Sequence, residues 1–140
     1  MMLSISKAVC REMLAAARQA APLEACGLLA GTGQQVTKCY ELTNADSSPE
    51  HFSMLPEEQF GAVKDMRRNG LRMLALWHSH PATPARMSAE DMRLAYTPDV
   101  LYVILSLAEP GGPQVRAFAV NDNTAHEEPL IIEDMEGEAL

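Results

Sequence analysis

The chain has 140 residues, 47% of them hydrophobic and 21% charged, which suits one globular domain and excludes low-complexity disorder and collagen-like repeats. Eleven Lys and Arg stand against 19 Asp and Glu, a net charge of −8. Phosphate binding needs clustered basic charge, so no nucleic-acid partner is expected. The longest uninterrupted apolar run, 100–105, is far short of the roughly 20 residues that span a bilayer, so no membrane partner is expected either.

The start, Met-Met-Leu-Ser-Ile-Ser-Lys, lacks the basic region and long apolar stretch of a secretory signal. Cys10, Cys26 and Cys39 are odd in number, irregularly spaced and without Cys-x-x-Cys, which points to reduced thiols and a cytoplasmic protein rather than a disulfide framework. The nine methionines read as core fillers.

The first element is a helix over 6–20, with Val9, Met13, Leu14 and Ala17 at helical spacing, Ser6 as its cap and Pro22 past its end. Apolar 25–30 and β-branched 36–43 form a hairpin around 31–35, and 44–54 is loop. A second helix spans about 56–69. Pro56 suits its first turn, Glu57 and Glu58 its positive end, Arg67 and Arg68 its negative end, and Gly70 its stop. Residues 71–77 make a buried strand, 88–95 a short helix ending before Pro98, and 100–107 a central strand. After the turn at 109–113, 115–120 returns as a strand and 130–132 is a last edge strand. Three helices and five or six strands in mixed order predict an α+β fold, a mixed, largely antiparallel sheet with helices packed on it. One domain over 1–140 is expected, its core at about 6–120. Six of the acids lie in the last 14 residues and no Lys or Arg follows Arg116, so 121–140 reads as a solubilising acidic extension.

Chemistry concentrates at few positions. In His78-Ser79-His80-Pro81 the two histidines continue the 71–77 strand with period two, so both imidazoles point to one side. Two converging imidazoles can begin a metal site, although a lone His-x-His is more often a pair of surface loop histidines. Ser88-Ala-Glu-Asp91 is close to a capping box. It also puts Ser88 and Asp91 on one face of a helical turn, from which Asp91 can supply a carboxylate ligand. Two His and one Asp leave the fourth tetrahedral position to water, the open kind of zinc site. Glu24, at the entrance to the first apolar strand, reads on its own as a solvated acid.

Taken together, Glu24, His78-Ser79-His80-Pro81, Ser88 and Asp91 resemble the signature of the JAMM (MPN-type) zinc metalloproteases, Glu…His-Ser-His-Pro-x6-Ser-x2-Asp, with no member missing. Pro22-x-Glu24-x-Cys26-Gly27-Leu28-Leu29-x-Gly31 is similar to that family's first motif, and the resemblance covers roughly 6–120. It implies one zinc ion per chain on His78, His80 and Asp91. Glu24 would pass a proton from water to the leaving amine, and Ser88 would hydrogen-bond the developing oxyanion.

The chain is short and resembles the compact prokaryotic members rather than those with insertions for gripping ubiquitin. The resemblance therefore implies a ubiquitin-like sulfur-carrier protein as partner and substrate, cut after its C-terminal Gly-Gly. Loops 44–54 and 82–87 are candidate groove walls, and a homodimer is left open. The alternative is a catalytically silent MPN-like scaffold. The motifs of nucleobase deaminases and of thermolysin-like proteases are absent. Cys26 reads as a buried core thiol, Trp77 as pointing away from the histidines into the core, Ser79 as a local hydrogen-bonding residue, and His51 and His126 as surface histidines.

Overall fold

The computed structural model describes residues 2–95, 97 and 99–133. Pro98, and the part of the acidic extension beyond Glu133, lie outside the described residues. In chain order the elements are β1 (Leu3–Ser6), α1 (Lys7–Ala20), β2 (Cys26–Thr32), β3 (Gln35–Leu42), α2 (Pro56–Arg68), β4 (Arg72–His80), α3 (Ala89–Arg93), β5 (Leu101–Ser106), β6 (Gln114–Asn121), β7 (Thr124–Glu128) and β8 (Leu130–Glu133). The strands form one sheet in the order β7-β6-β5-β4-β2-β3-β1-β8. Pairing is antiparallel except where β4 meets β5 and where β1 meets β3 and β8. The α+β class and the mixed sheet with three helices are as the sequence predicts.

Each face of the sheet carries its own layer, set by the alternation of side chains along the strands. Helix α1 starts where the Ser6 side chain accepts a hydrogen bond from the Val9 N–H at 3.2 Å. It buries Val9, Met13, Ala16 and Ala17 against Leu29, Val36, Ala75, Trp77 and Val103. Sealing a side chain such as Met13, which is 0% exposed, is worth about 1.5–3 kcal/mol. On the opposite face α2 lays Ala62 and Met66 on Leu28 and Ala30. Beside it Ala85 and Met87 cover Tyr102, Ile104 and Phe118. Trp77 is wholly buried on the α1 side.

Among the described residues there are eight strands where five or six are expected. β1 is four residues long and runs straight into the capped helix, too short for a periodic signal. β7 is Thr-Ala-His-Glu-Glu, a polar edge strand. Its turn does carry a sequence mark: Asp122 and Asn123 have φ of 50° and 61°, the left-handed pair that a two-residue hairpin demands and that Asx residues tolerate. Among the described residues no helix is long and apolar enough to cross a membrane.

None of the three cysteines is in a disulfide. Cys26 sits in β2 with its Sγ 3.7 Å from the Leu42 carbonyl. Burial, followed by the nearby Glu24 charge, pushes its thiol up to about 12. Burial does the same for Cys39, also to about 12. At pH 8 the folded protein is expected to leave both thiols unalkylated by iodoacetamide, with full labelling only in denaturant, because the thiolate is the reactive form. Peptide mass mapping checks this, and labelling of Cys26 at the rate of a free thiol would contradict it.

Candidate active site

Strand β4 does not stop at Trp77 but runs through His80. Its alternation therefore carries His78 and His80 to the face of α2 and α3, while Trp77 faces α1. Both histidines are buried, at 2% and 4% exposure. Because β4 and β5 are parallel, with His78 opposite Ile104 and His80 opposite Ser106, no hairpin can join them. The connection must climb over the sheet face, and it carries α3 back to the strand end.

At the start of α3 a reciprocal capping box forms. Ser88 Oγ accepts from the Asp91 N–H and Asp91 Oδ2 accepts from the Ser88 N–H, each at 3.0 Å. Asp91 is thereby turned inward, 3.3 Å from His78 Nε2 through Oδ1 and 3.0 Å from His80 Nε2 through Oδ2. The two Nε2 atoms lie 3.1 Å apart. His80 Nδ1 lies 2.9 Å from the Pro84 carbonyl. A carbonyl only accepts, so Nδ1 carries the hydrogen and Nε2 is left facing the centre. Ser88 is exposed, and the cap uses its oxygen as acceptor, so its hydroxyl hydrogen is left to donate outward.

Glu24 reaches the same centre from the approach to β2, clamped through its backbone. Its N–H donates to the Ser48 carbonyl at 2.8 Å, and its own carbonyl accepts from Asn44 Nδ2 at 3.1 Å. The next residue, Ala25, donates its N–H to Ser79 Oγ at 2.8 Å and accepts from the Ser79 N–H at 3.0 Å. Ser79 thus has a hydrogen-bonding role, as expected, but its partner lies 54 residues away and not nearby in the chain. Glu24 is 3% exposed, and its Oε1 has no hydrogen-bond partner among the described residues. One ligand atom each from Glu24, His78 and His80 lie within 4.8 Å of one another.

The titration shifts follow from this packing. Burial pushes the Glu24 carboxyl up to about 8, against the pull of the His80 charge and helped by that of Asp91. Burial holds His78 below the ordinary imidazole value. In His80 burial lowers the pKa, but hydrogen bonds to Asp91 and Pro84 outweigh it and the net shift is upward. In Asp91 burial alone would raise the pKa, yet the hydrogen bonds from His78 and His80 hold the carboxyl far below the usual carboxylate range.

With Nε2 of each imidazole unprotonated, two facing ring nitrogens, a carboxylate beside both and an orphaned carboxylate oxygen are a convergence of lone pairs that a divalent cation satisfies. Nitrogen and oxygen donors in this ratio suit zinc. The structure therefore brings Glu24, His78, His80 and Asp91 together, with Ser88 adjoining through Asp91.

A cleft of about 210 Å³ reaches His78 and Asp91. The 44–54 segment supplies one wall through His51, Phe52, Ser53 and Met54, with the Phe52 ring 4.8 Å from that of His78. From 82–87 only Met87 lines the cleft, and α3 and the residues after it complete that side with Asp91, Leu94 and Thr97. His51 is half-exposed and paired with Asp46 at 2.9 Å, and His126 is exposed on β7. Sequence reasoning includes Asn44, Phe52 and Pro84 in its candidate loops but singles out none of them. The Asn-Ala-Asp turn at 44–46 was the available signal for Asn44, whose Oδ1 accepts from the Asp46 N–H at 3.0 Å.

A family model described as prokaryotic homologs of the JAB domain matches residues 6–120. The chain is 34% identical to the CysO-cysteine peptidase of Mycobacterium tuberculosis, over 86% of this chain and 84% of the relative. It is also 34% identical to a probable TtuB-protein conjugate cleaving protease of Thermus thermophilus, over 84% and 76%. Among solved structures, a protein of Desulfitobacterium hafniense determined in solution is 52% identical, with a TM-score of 0.87 over 96% of this chain and 94% of that one.

Proposed function

The chain belongs to the prokaryotic JAB family of JAMM/MPN peptidases, and from that premise we propose that it is a zinc peptidase cutting after the C-terminal Gly-Gly of a small ubiquitin-like sulfur carrier. The observation that carries the reading is the meeting of His78, His80 and Asp91 within 3.0–3.3 Å beside the unpartnered Glu24 oxygen. His78, His80 and Asp91 would hold the ion, three protein ligands being the number typical of catalytic rather than structural zinc. When bound, zinc lowers the pKa of water in its open position and polarises the scissile carbonyl.

The chain's own residues supply the rest. Glu24 takes a proton from the attacking water and returns it to the leaving amine. Burial raises its basicity, and its Oε1 has no hydrogen-bond partner among the described residues to give up first. Ser88 donates its hydroxyl hydrogen to the oxyanion. The Gly-Gly tail would lie in the cleft against the 51–54 segment. Support for a protein substrate comes from relatives named for cleaving a CysO-cysteine bond and a TtuB-protein conjugate.

The test is mass spectrometry of a ubiquitin-like carrier extended past its Gly-Gly and mixed with zinc-loaded protein. A product ending at Gly-Gly is expected, and no product from a protein that holds zinc would overturn the substrate. Zinc analysis tests the ligands separately. His80→Ala and Asp91→Ala are each expected to lower bound zinc from one equivalent to a small fraction, and full zinc in either variant would overturn the assigned set.

A further inference from the structure

Three consecutive residues after β4 are held by their main chain. Ser106, 0% exposed, stands opposite His80 in the sheet register. Its hydroxyl donates to the Thr83 carbonyl at 2.7 Å and accepts from the Ala108 N–H at 3.0 Å. The Ala85 N–H donates to Glu109 Oε1 at 3.2 Å. Between these two anchors lies Pro84, whose carbonyl accepts from His80 Nδ1 at 2.9 Å and from the Arg86 N–H at 2.9 Å. The terminal torsion of histidine is broad and roughly two-fold, so rotamer preference alone does not decide which ring edge faces the centre. Asp91 meets the ring at Nε2, and a fixed partner at Nδ1 supplies the constraint from the opposite edge.

We propose that Ser106 and Glu109 are positioning residues for His80: by pinning Thr83 and Ala85 they aim the Pro84 carbonyl at Nδ1 and keep Nε2 turned to the metal centre. This rests on the reading of His80 as a metal ligand. Ser106 anchors the turn from the buried end of β5, and Glu109 anchors it from the partly exposed loop beyond. Neither touches the centre itself. Outer partners of ligating histidines commonly contribute 10–100-fold to metal affinity.

The experiment uses Ser106→Ala, Glu109→Ala, Glu109→Gln and the double alanine variant. Zinc affinity is measured by chelator competition, and the His80 tautomer by long-range proton–nitrogen NMR on the metal-free protein. Each alanine is expected to weaken zinc binding by about 10-fold and the pair by about 100-fold. His80 should carry a hydrogen on Nδ1 in every wild-type molecule and in only part of the variant molecules. Glu109→Gln keeps an oxygen that accepts from Ala85 and should retain the wild-type affinity and tautomer. A folded double variant with wild-type affinity and an unchanged tautomer would overturn the proposal. If Ser106→Ala does not fold, the Glu109 pair decides alone. If His80→Ala binds zinc as tightly as the wild type, the metal-site reading fails, while the tautomer in the metal-free variants still decides the clamp.

Discussion

Glu24→Gln is expected to retain one equivalent of zinc and to lose hydrolysis by about 10³-fold, the middle of the range for a positioned general base. The amide keeps the shape of the carboxyl but has no basic oxygen pair to take a proton. Its neighbours offer no replacement. Asp91 is committed to His78, His80 and the Ser88 N–H, and burial favours a neutral group at position 24 in any case, so the fold should tolerate the change. Two measurements are needed, product formation by mass spectrometry and metal content by elemental analysis. Turnover within a few-fold of the wild type would remove Glu24 as the base. Loss of zinc would give the residue a different role, that of a ligand, a possibility that its closeness to both imidazoles makes concrete.

Gly27→Ala is expected to destabilise the fold more than any surface change. An added Cβ at this position would stand 1.9 Å from the Tyr40 carbonyl oxygen and 2.6 Å from Trp77 Nε1. Neither can give way. Tyr40 belongs to β3 and Trp77 to β4, the two strands between which β2 is laddered, and Trp77 is 0% exposed. The strands would have to part in the middle of the sheet. A cost of about 3 kcal/mol or more, and a fall in Tm on the order of 10 °C, follow from the usual penalty for overpacking. Gly61→Ala is the matched control: it lies in α2 with nothing within 4 Å of the new methyl, and an exposed helical glycine gains about 1 kcal/mol on becoming alanine. Thermal unfolding followed by circular dichroism should move in opposite directions for the two variants. A Gly27→Ala protein that melts with the wild type would mean that β2 and β3 are not packed as closely as described.

The parts of the site legible in the sequence are those whose geometry is local. A period of two along a strand puts His78 and His80 on one side, and the four residues 88–91 suffice to turn Asp91 and Ser88 toward each other through the cap of α3. Glu24 is different. Its approach to the histidines depends on Ser48, Asn44 and Ser79 gripping the backbone at 24 and 25 across long sequence separations, and nothing near it in the chain announces that. The family resemblance, not local pattern, singles it out. The same distinction explains the fold. Helix α1 carries a side-chain cap at Ser6, helix α2 carries Pro56 and dipole-matched charges at both ends, and both have periodic apolar faces. β1 and β7 exist because partners elsewhere complete them, through β3 and β8 in one case and β6 in the other.

The brace behind His80 is written largely in main-chain atoms: the carbonyls of Thr83 and Pro84 and the N–H of Ala85. Any residue can present a carbonyl, and any residue but proline an N–H. The side chain of Thr83, exposed to solvent, is therefore free to drift over evolutionary time while its backbone oxygen keeps its task. Aligned sequences would display that position as variable and the turn as unremarkable. Constraint would surface instead at the distant side chains that hold the turn, and in the rejection of insertions that change its length.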